Sequence, residues 1–142
     1  MPLSILSQKV LVGPLSKEEI LKNLPEWKEV VASYIPNPAI IEKLKSINKE
    51  VQVELFIGTW CPDCRRHVSA YFKILEMTDN PLIVTSYSGI PREREARQEF
   101  IQGKNIERVP TFVIYIDGQE KGRIIETPTK SVEEDLLDII NR

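Results

Sequence analysis

Cysteine and histidine are scarce in this sequence, with two and one respectively among 142 residues. Two thiols make at most one disulfide, so no framework of structural bridges holds the fold, and a packed core must. A structural zinc centre takes four nitrogen or sulfur ligands. Cys61, Cys64 and His67 would supply three, and a fourth is not evident. Long apolar runs are missing as well, and none approaches the roughly 20 residues a spanning helix needs. Nor does charge of one sign dominate: 19 basic residues against 21 acidic ones leave a formal net charge of −2. That balance gives no reason to expect nucleic acid or an anionic membrane as partner. Internal repeats and low-complexity segments are absent. The amino-terminal stretch MPLSILSQKVLVGPLS has no basic leader, and Gln8 and Lys9 interrupt its apolar residues. It does not read as a secretory signal. With no second pair of cysteines to bridge, the reducing cytoplasm is the expected location.

What is present suffices for one domain: 42% apolar residues for a core and 28% charged residues for a solvated surface. Both cysteines fall within Trp60-Cys61-Pro62-Asp63-Cys64. An apolar run, Val51 to Ile57, precedes them, and a stretch with helical apolar spacing follows. A strand that feeds Cys-x-x-Cys at the head of a helix is a redox arrangement. Unpaired backbone N–H groups at the helix start favour a thiolate on the first cysteine, and the second lies one turn away.

The rest of the chain sorts by its caps and breakers. Ser16 and Glu19 form a capping box for a helix that should break near Pro25, with a second helical piece from Glu26 to Ser33. Asn37-Pro38 starts another helix, and a strand over 51–57 and a helix from Pro62 to Met77 follow. Leu82 to Tyr87 reads as a strand, Pro91 as the start of a helix ended by Gly103, and Thr111 to Ile116 as a strand. Asp117-Gly118 turns a hairpin into Gly122 to Glu126, and Ser131 caps a last helix. From residue 37 the order is α-β-α-β-α-β-β-α, which predicts an α/β domain over 37–142: a mixed sheet with an antiparallel edge, covered by helices on both faces. Residues 1–36 are expected to be a helical extension packed on it, with Trp27 and Tyr34 as anchors.

At these residues the chain resembles the thioredoxin superfamily. The match joins Trp60-Cys61-Pro62-Asp63-Cys64 at the end of one strand to Arg108-Val109-Pro110-Thr111-Phe112 at the start of a later one, followed by Asp117-Gly118. The resemblance implies a thioredoxin fold, a cis Val109–Pro110 bond facing the cysteines, and a Val109 backbone free to pair with an extended substrate. It implies a thiol–disulfide oxidoreductase that needs no bound cofactor. Its expected partners are a disulfide-containing protein or small molecule and a separate reductase or thiol pool as electron donor, and it is expected to act as a monomer. Three features depart from the family pattern. Pro62-Asp63 stands where thioredoxins carry Gly-Pro, Leu55 where they carry a buried aspartate, and Glu126 near the place of a late glycine.

Cys61 is expected to attack and Cys64 to resolve, with Trp60, Pro62, Asp63, Val109 and Pro110 forming the site surface. Asp63, at about 7 Å, would disfavour the Cys61 thiolate by roughly 0.6–2.4 kcal/mol. The helix terminus favours it by roughly 0.3–2 kcal/mol, so the two are comparable. The expectation is a nucleophile less acidic than that of an oxidant, hence a reductant. Glu54, an acid in an apolar strand, is a candidate proton relay if buried, and otherwise a partner for a lysine. His67 is expected to be a solvated or half-buried helix residue. The run from Arg92 to Glu99, with Glu93 and Arg97 at helical spacing, is expected to be a solvated helix face. Two alternatives stay open: an oxidase or isomerase, and a non-catalytic module that holds a partner around Trp60 and Val109-Pro110.

Overall fold

In the computed structural model, which describes residues 9–142, local signals in the sequence set most element boundaries. Ser16 Oγ accepts from Glu19 N at 3.0 Å while the Glu19 carboxylate accepts from Ser16 N at 3.0 Å, opening helix α1, Lys17–Asn23. Helix α2 is Glu26–Ser33, and α3, Pro38–Lys45, is capped by Asn37 Oδ1 accepting from Ala39 N. Strand β2, Val51–Ile57, leads into α4, Pro62–Thr78, and β3 is Ile83–Gly89. After a short helix α5, Gln98–Ile101, strands β4, Thr111–Ile116, and β5, Gln119–Ile125, form the hairpin. Its turn places Asp117 at φ +54° and Gly118 at φ +76°, the left-handed pair that matches strand twist. Helix α6, Val132–Ile140, begins where Ser131 Oγ accepts from Glu134 N.

Together with an edge strand β1, Gly13–Leu15, the strands form one sheet in the order β1-β3-β2-β4-β5. Only β2 and β3 run parallel. The expected mixed sheet is present, but the segment ahead of residue 37 differs from a purely helical extension. β1 pairs with the edge of the sheet, Gly13 opposite Gly89, and the Trp27 side chain of α2 is 1% exposed. Residues 13–36 therefore build the sheet and core of the domain rather than an addition to it. The part of the expected extension over residues 1–8 lies outside the described residues.

The two faces of the sheet are unequally covered. Tyr71 and Phe72 of α4 pack edge-on against Phe112 and Tyr87, and Val53 and Leu55 share that face by register. On the opposite face, Gln52, Glu54, Val84, Ser86 and Tyr115 edge an open concavity of about 450 Å³. The expected cover is incomplete on this face: Phe56 and Val113 are buried while Gln52, Val84 and Ser86 stay exposed, and the helix predicted after Pro91 does not form as one piece. A 3-10 turn at Arg94–Ala96 and the four-residue α5 take its place. Arg97, expected to pair with Glu93, donates Nε to Pro91 O at 2.9 Å and Nη2 to Arg92 O at 2.7 Å. Those bonds fold the loop back on itself in place of a regular turn.

Candidate functional site

Cys61 stands at the N-cap of α4 with Pro62 in the first turn, where a proline has no hydrogen bond to lose. Its backbone N–H donates to Gly58 O at 2.9 Å, closing a tight turn between β2 and the helix. Gly58 has a second role: a Cβ there would lie 2.7 Å from the Trp60 indole, so the ring packs where only glycine leaves room. Trp60 Nε1 donates to Ile90 O at 3.1 Å, fixing the ring across the end of β3.

The two thiols occupy different environments. Cys61 is partly exposed and Cys64 is buried. The Gly58 N–H lies 3.3 Å from the Cys64 sulfur. A hydrogen bond from the Cys64 thiol brings the Cys61 pKa down to about 6, aided by the Cys64 and Asp63 backbone N–H groups. Partial burial and the Asp63 carboxylate oppose that shift and do not cancel it. Burial pushes the Cys64 thiol well above its ordinary value. Neither the helix terminus nor Asp63 decides the shift; its largest single cause is the neighbouring thiol.

Across the site, Val109–Pro110 is cis, and the Cys61 sulfur lies 3.9 Å from Val109 O. Glu126 takes φ +60°, a conformation that glycine adopts freely, and its N–H donates to Pro110 O at 2.7 Å. Glu126 also receives Arg108 Nη1 at 3.1 Å. The departure from glycine at 126 thus alters the rim of the groove with a left-handed backbone still in place.

The structure brings Trp60, Cys61, Pro62, Asp63, Cys64, Val109 and Pro110 together, but not Glu54. Leu55 shares the face of α4, so Glu54 points to the other side of the sheet. There its carboxylate pairs with Lys104 Nζ at 3.2 Å and accepts from Tyr115 OH at 3.1 Å. His67 also differs from expectation: it is 8% exposed, Nε2 has no partner among the described residues, and burial lowers its pKa. Its place on the inner side of α4, beside buried Val68 and Cys64, decides this.

Sequence reasoning missed Thr59. Buried at 2% exposure, its hydroxyl donates to Lys9 O at 2.8 Å and accepts from Leu11 N at 3.0 Å. It therefore ties residues 9–11, just ahead of β1, to the loop that carries Trp60 and Cys61. A threonine beside the motif was the only signal, and its partners are some 50 residues away in sequence.

A mixed sheet in this order, with an exposed thiol at a helix start, a buried thiol one turn on and a cis proline opposite, defines a thioredoxin-fold dithiol protein. A sequence profile of the thioredoxin family matches residues 16–137, and the chain belongs to that family. Among solved structures, an HIV epitope scaffold overlays with TM-score 0.68 at 18% identity, covering 91% of this chain and 93% of its own. A Pseudomonas aeruginosa protein of unknown function overlays with TM-score 0.60 at 17% identity, covering 89% and 96%. These likenesses concern the fold. No curated protein matches the sequence. The family and the paired cysteines together support a thiol-redox role.

Proposed function

We propose that the protein reduces disulfides by thiol exchange, with Cys61 attacking and Cys64 resolving. The observation that carries this reading is the asymmetry of the pair. Cys61 is accessible and ionised at neutral pH, with a pKa of about 6, while Cys64 is buried with its thiol held protonated. The Cys61 thiolate attacks one sulfur of the substrate disulfide, whose S–S bond breaks, and the leaving thiolate takes a proton from water. Cys64 then loses its proton to solvent and attacks the Cys61 sulfur, expelling the second substrate thiol. Substrate gains two electrons and the protein keeps the Cys61–Cys64 disulfide. A separate reductase or thiol pool restores the dithiol. An extended substrate would pair with the Val109 backbone at the rim of the site.

A nucleophile pKa of about 6 lies nearer the roughly 7 of a reducing dithiol than the roughly 3.5 of a strong oxidant, which favours reduction. Equilibration against glutathione and dithiothreitol buffers tests this. A potential near roughly −270 mV is expected, and one near roughly −120 mV would make the protein an oxidant instead. Cys64→Ser should accumulate a mixed disulfide at Cys61, and Cys61→Ser should abolish exchange. Failure to form the internal disulfide would remove the redox reading and leave a partner-binding module.

A further inference from the structure

Among the described residues most cations face no carboxylate within 4 Å, those around Trp60 included, but here two guanidinium groups share one ring. Lys45, Lys104, Arg108, Arg123 and Lys130 each face a carboxylate within 4 Å. Among the described residues, Arg65, Arg92 and Arg97 form no such pair. Yet Arg97 and Arg92 place their guanidinium carbons 5.2 and 5.8 Å from the Trp60 ring centroid, and Arg65 lines the cleft beside Cys61. A guanidinium carries five N–H donors. Arg97 spends two on Pro91 O and Arg92 O, which fix the group and leave three free. A fixed, half-buried guanidinium with spare donors binds a carboxylate at little entropic cost.

We infer that the Arg92–Arg97–Trp60 platform is a carboxylate-binding subsite, and that the preferred substrates are disulfides bearing a carboxylate close to the sulfur. The inference rests on the thiol-exchange reading of Cys61. Acids are present too: Glu26 shares the cleft with Arg65, Asp63 lies between the cysteines, and Glu93 neighbours Arg97. None of them forms an ion pair with Arg92 or Arg97, although the Glu93 charge acts on Arg97, and Arg97 is close enough to Cys61 to feel the charge of its sulfur. The chain as a whole is slightly acidic, with a formal net charge of −2, so any preference for anions is local to this rim.

Single-turnover reactions of the pre-reduced protein with three small disulfides test the assignment: dithiodipropionate (dianionic), hydroxyethyl disulfide (neutral) and cystamine (dicationic). Loss of free protein thiol is followed, and each rate is corrected for the same disulfide's intrinsic reactivity toward free cysteine. The dianion should react about tenfold or more faster than the dication, a preference that falls as salt rises. Arg92→Glu, at an exposed position, should erase or reverse the preference, and Arg92→Lys should keep most of it. Arg97→Gln should weaken it as well. Equal corrected rates for all three disulfides, or a salt-independent preference, would overturn the subsite and leave thiol exchange standing. No reaction even with the neutral disulfide would overturn thiol exchange, and the subsite with it.

Discussion

The Tyr34 hydroxyl donates to the Glu133 carboxylate at 2.5 Å across 99 residues of sequence, and the same carboxylate accepts from Asn37 N at 2.8 Å. Glu133 is 3% exposed, and the two part-buried bonds join the start of α6 to the chain between α2 and α3. Burial, and then the carboxylate, raise the Tyr34 pKa. Replacing Glu133 by Ala strands the Asn37 N–H and the tyrosine hydroxyl, and should cost about 1–3 kcal/mol. Tyr34→Phe should cost less, about 1 kcal/mol, since Asn37 N still satisfies the carboxylate. Denaturant midpoints at neutral pH measure both.

Ionisation of Cys61 should govern reactivity between acid and neutral pH. Alkylation of the reduced protein by iodoacetamide should rise with a midpoint of about pH 6 and flatten above it. The same shift predicts a stability change. From about pH 6 up to the ordinary thiol range of roughly 8.5, the unfolded chain binds more protons at this site than the folded one. The stability of the reduced protein should therefore rise across that window and be lost as pH falls through about 6. Cys64 acts in the opposite direction at higher pH, because its folded pKa is raised. Cys61→Ser should flatten the lower window and leave the upper one.

Two acids near the motif should separate cleanly. Asp63 disfavours the Cys61 thiolate, so Asp63→Asn should lower the alkylation midpoint, by less than about 1 pH unit. Glu54→Gln should leave that midpoint where it is, because the carboxylate serves Lys104 and Tyr115 on the far face. Its stability effect should stay within about 1 kcal/mol, as for other partly exposed pairs. An alkylation profile moved by Glu54→Gln would revive the proton relay.

Gly89 fixes the edge strand. A Cβ at this position would lie 2.1 Å from Leu11 O, a backbone atom that cannot turn aside. Gly89→Ala should therefore push the 9–15 segment off the sheet edge and cost about 1–3 kcal/mol. Hydrogen exchange should show lost protection at Leu15, whose partner across the ladder is Tyr87. The Thr59 bonds to Lys9 O and Leu11 N should loosen with it, so the Cys61 loop would feel the change.

Local chemistry determined much of this protein from its sequence. The caps at Ser16, Asn37 and Ser131, the break at Pro25, the helix start at Pro38, and the Asp117-Gly118 turn act within a few residues. A strand running into Cys-x-x-Cys and a helix is equally local, and the Val-Pro-Thr resemblance supplied the opposite wall of the site. Tertiary structure decided what depends on distant partners. Arg97 took backbone carbonyls and the Trp60 face instead of an ion pair with Glu93. Glu54 found Lys104, Thr59 found residues 9–11, and β1 found the free edge of β3. The Cys61 pKa belongs with these, since its main cause is a thiol whose burial the packed core sets. Sequence fixes which groups can donate, accept or ionise; which of them meet follows from packing chain segments that lie far apart.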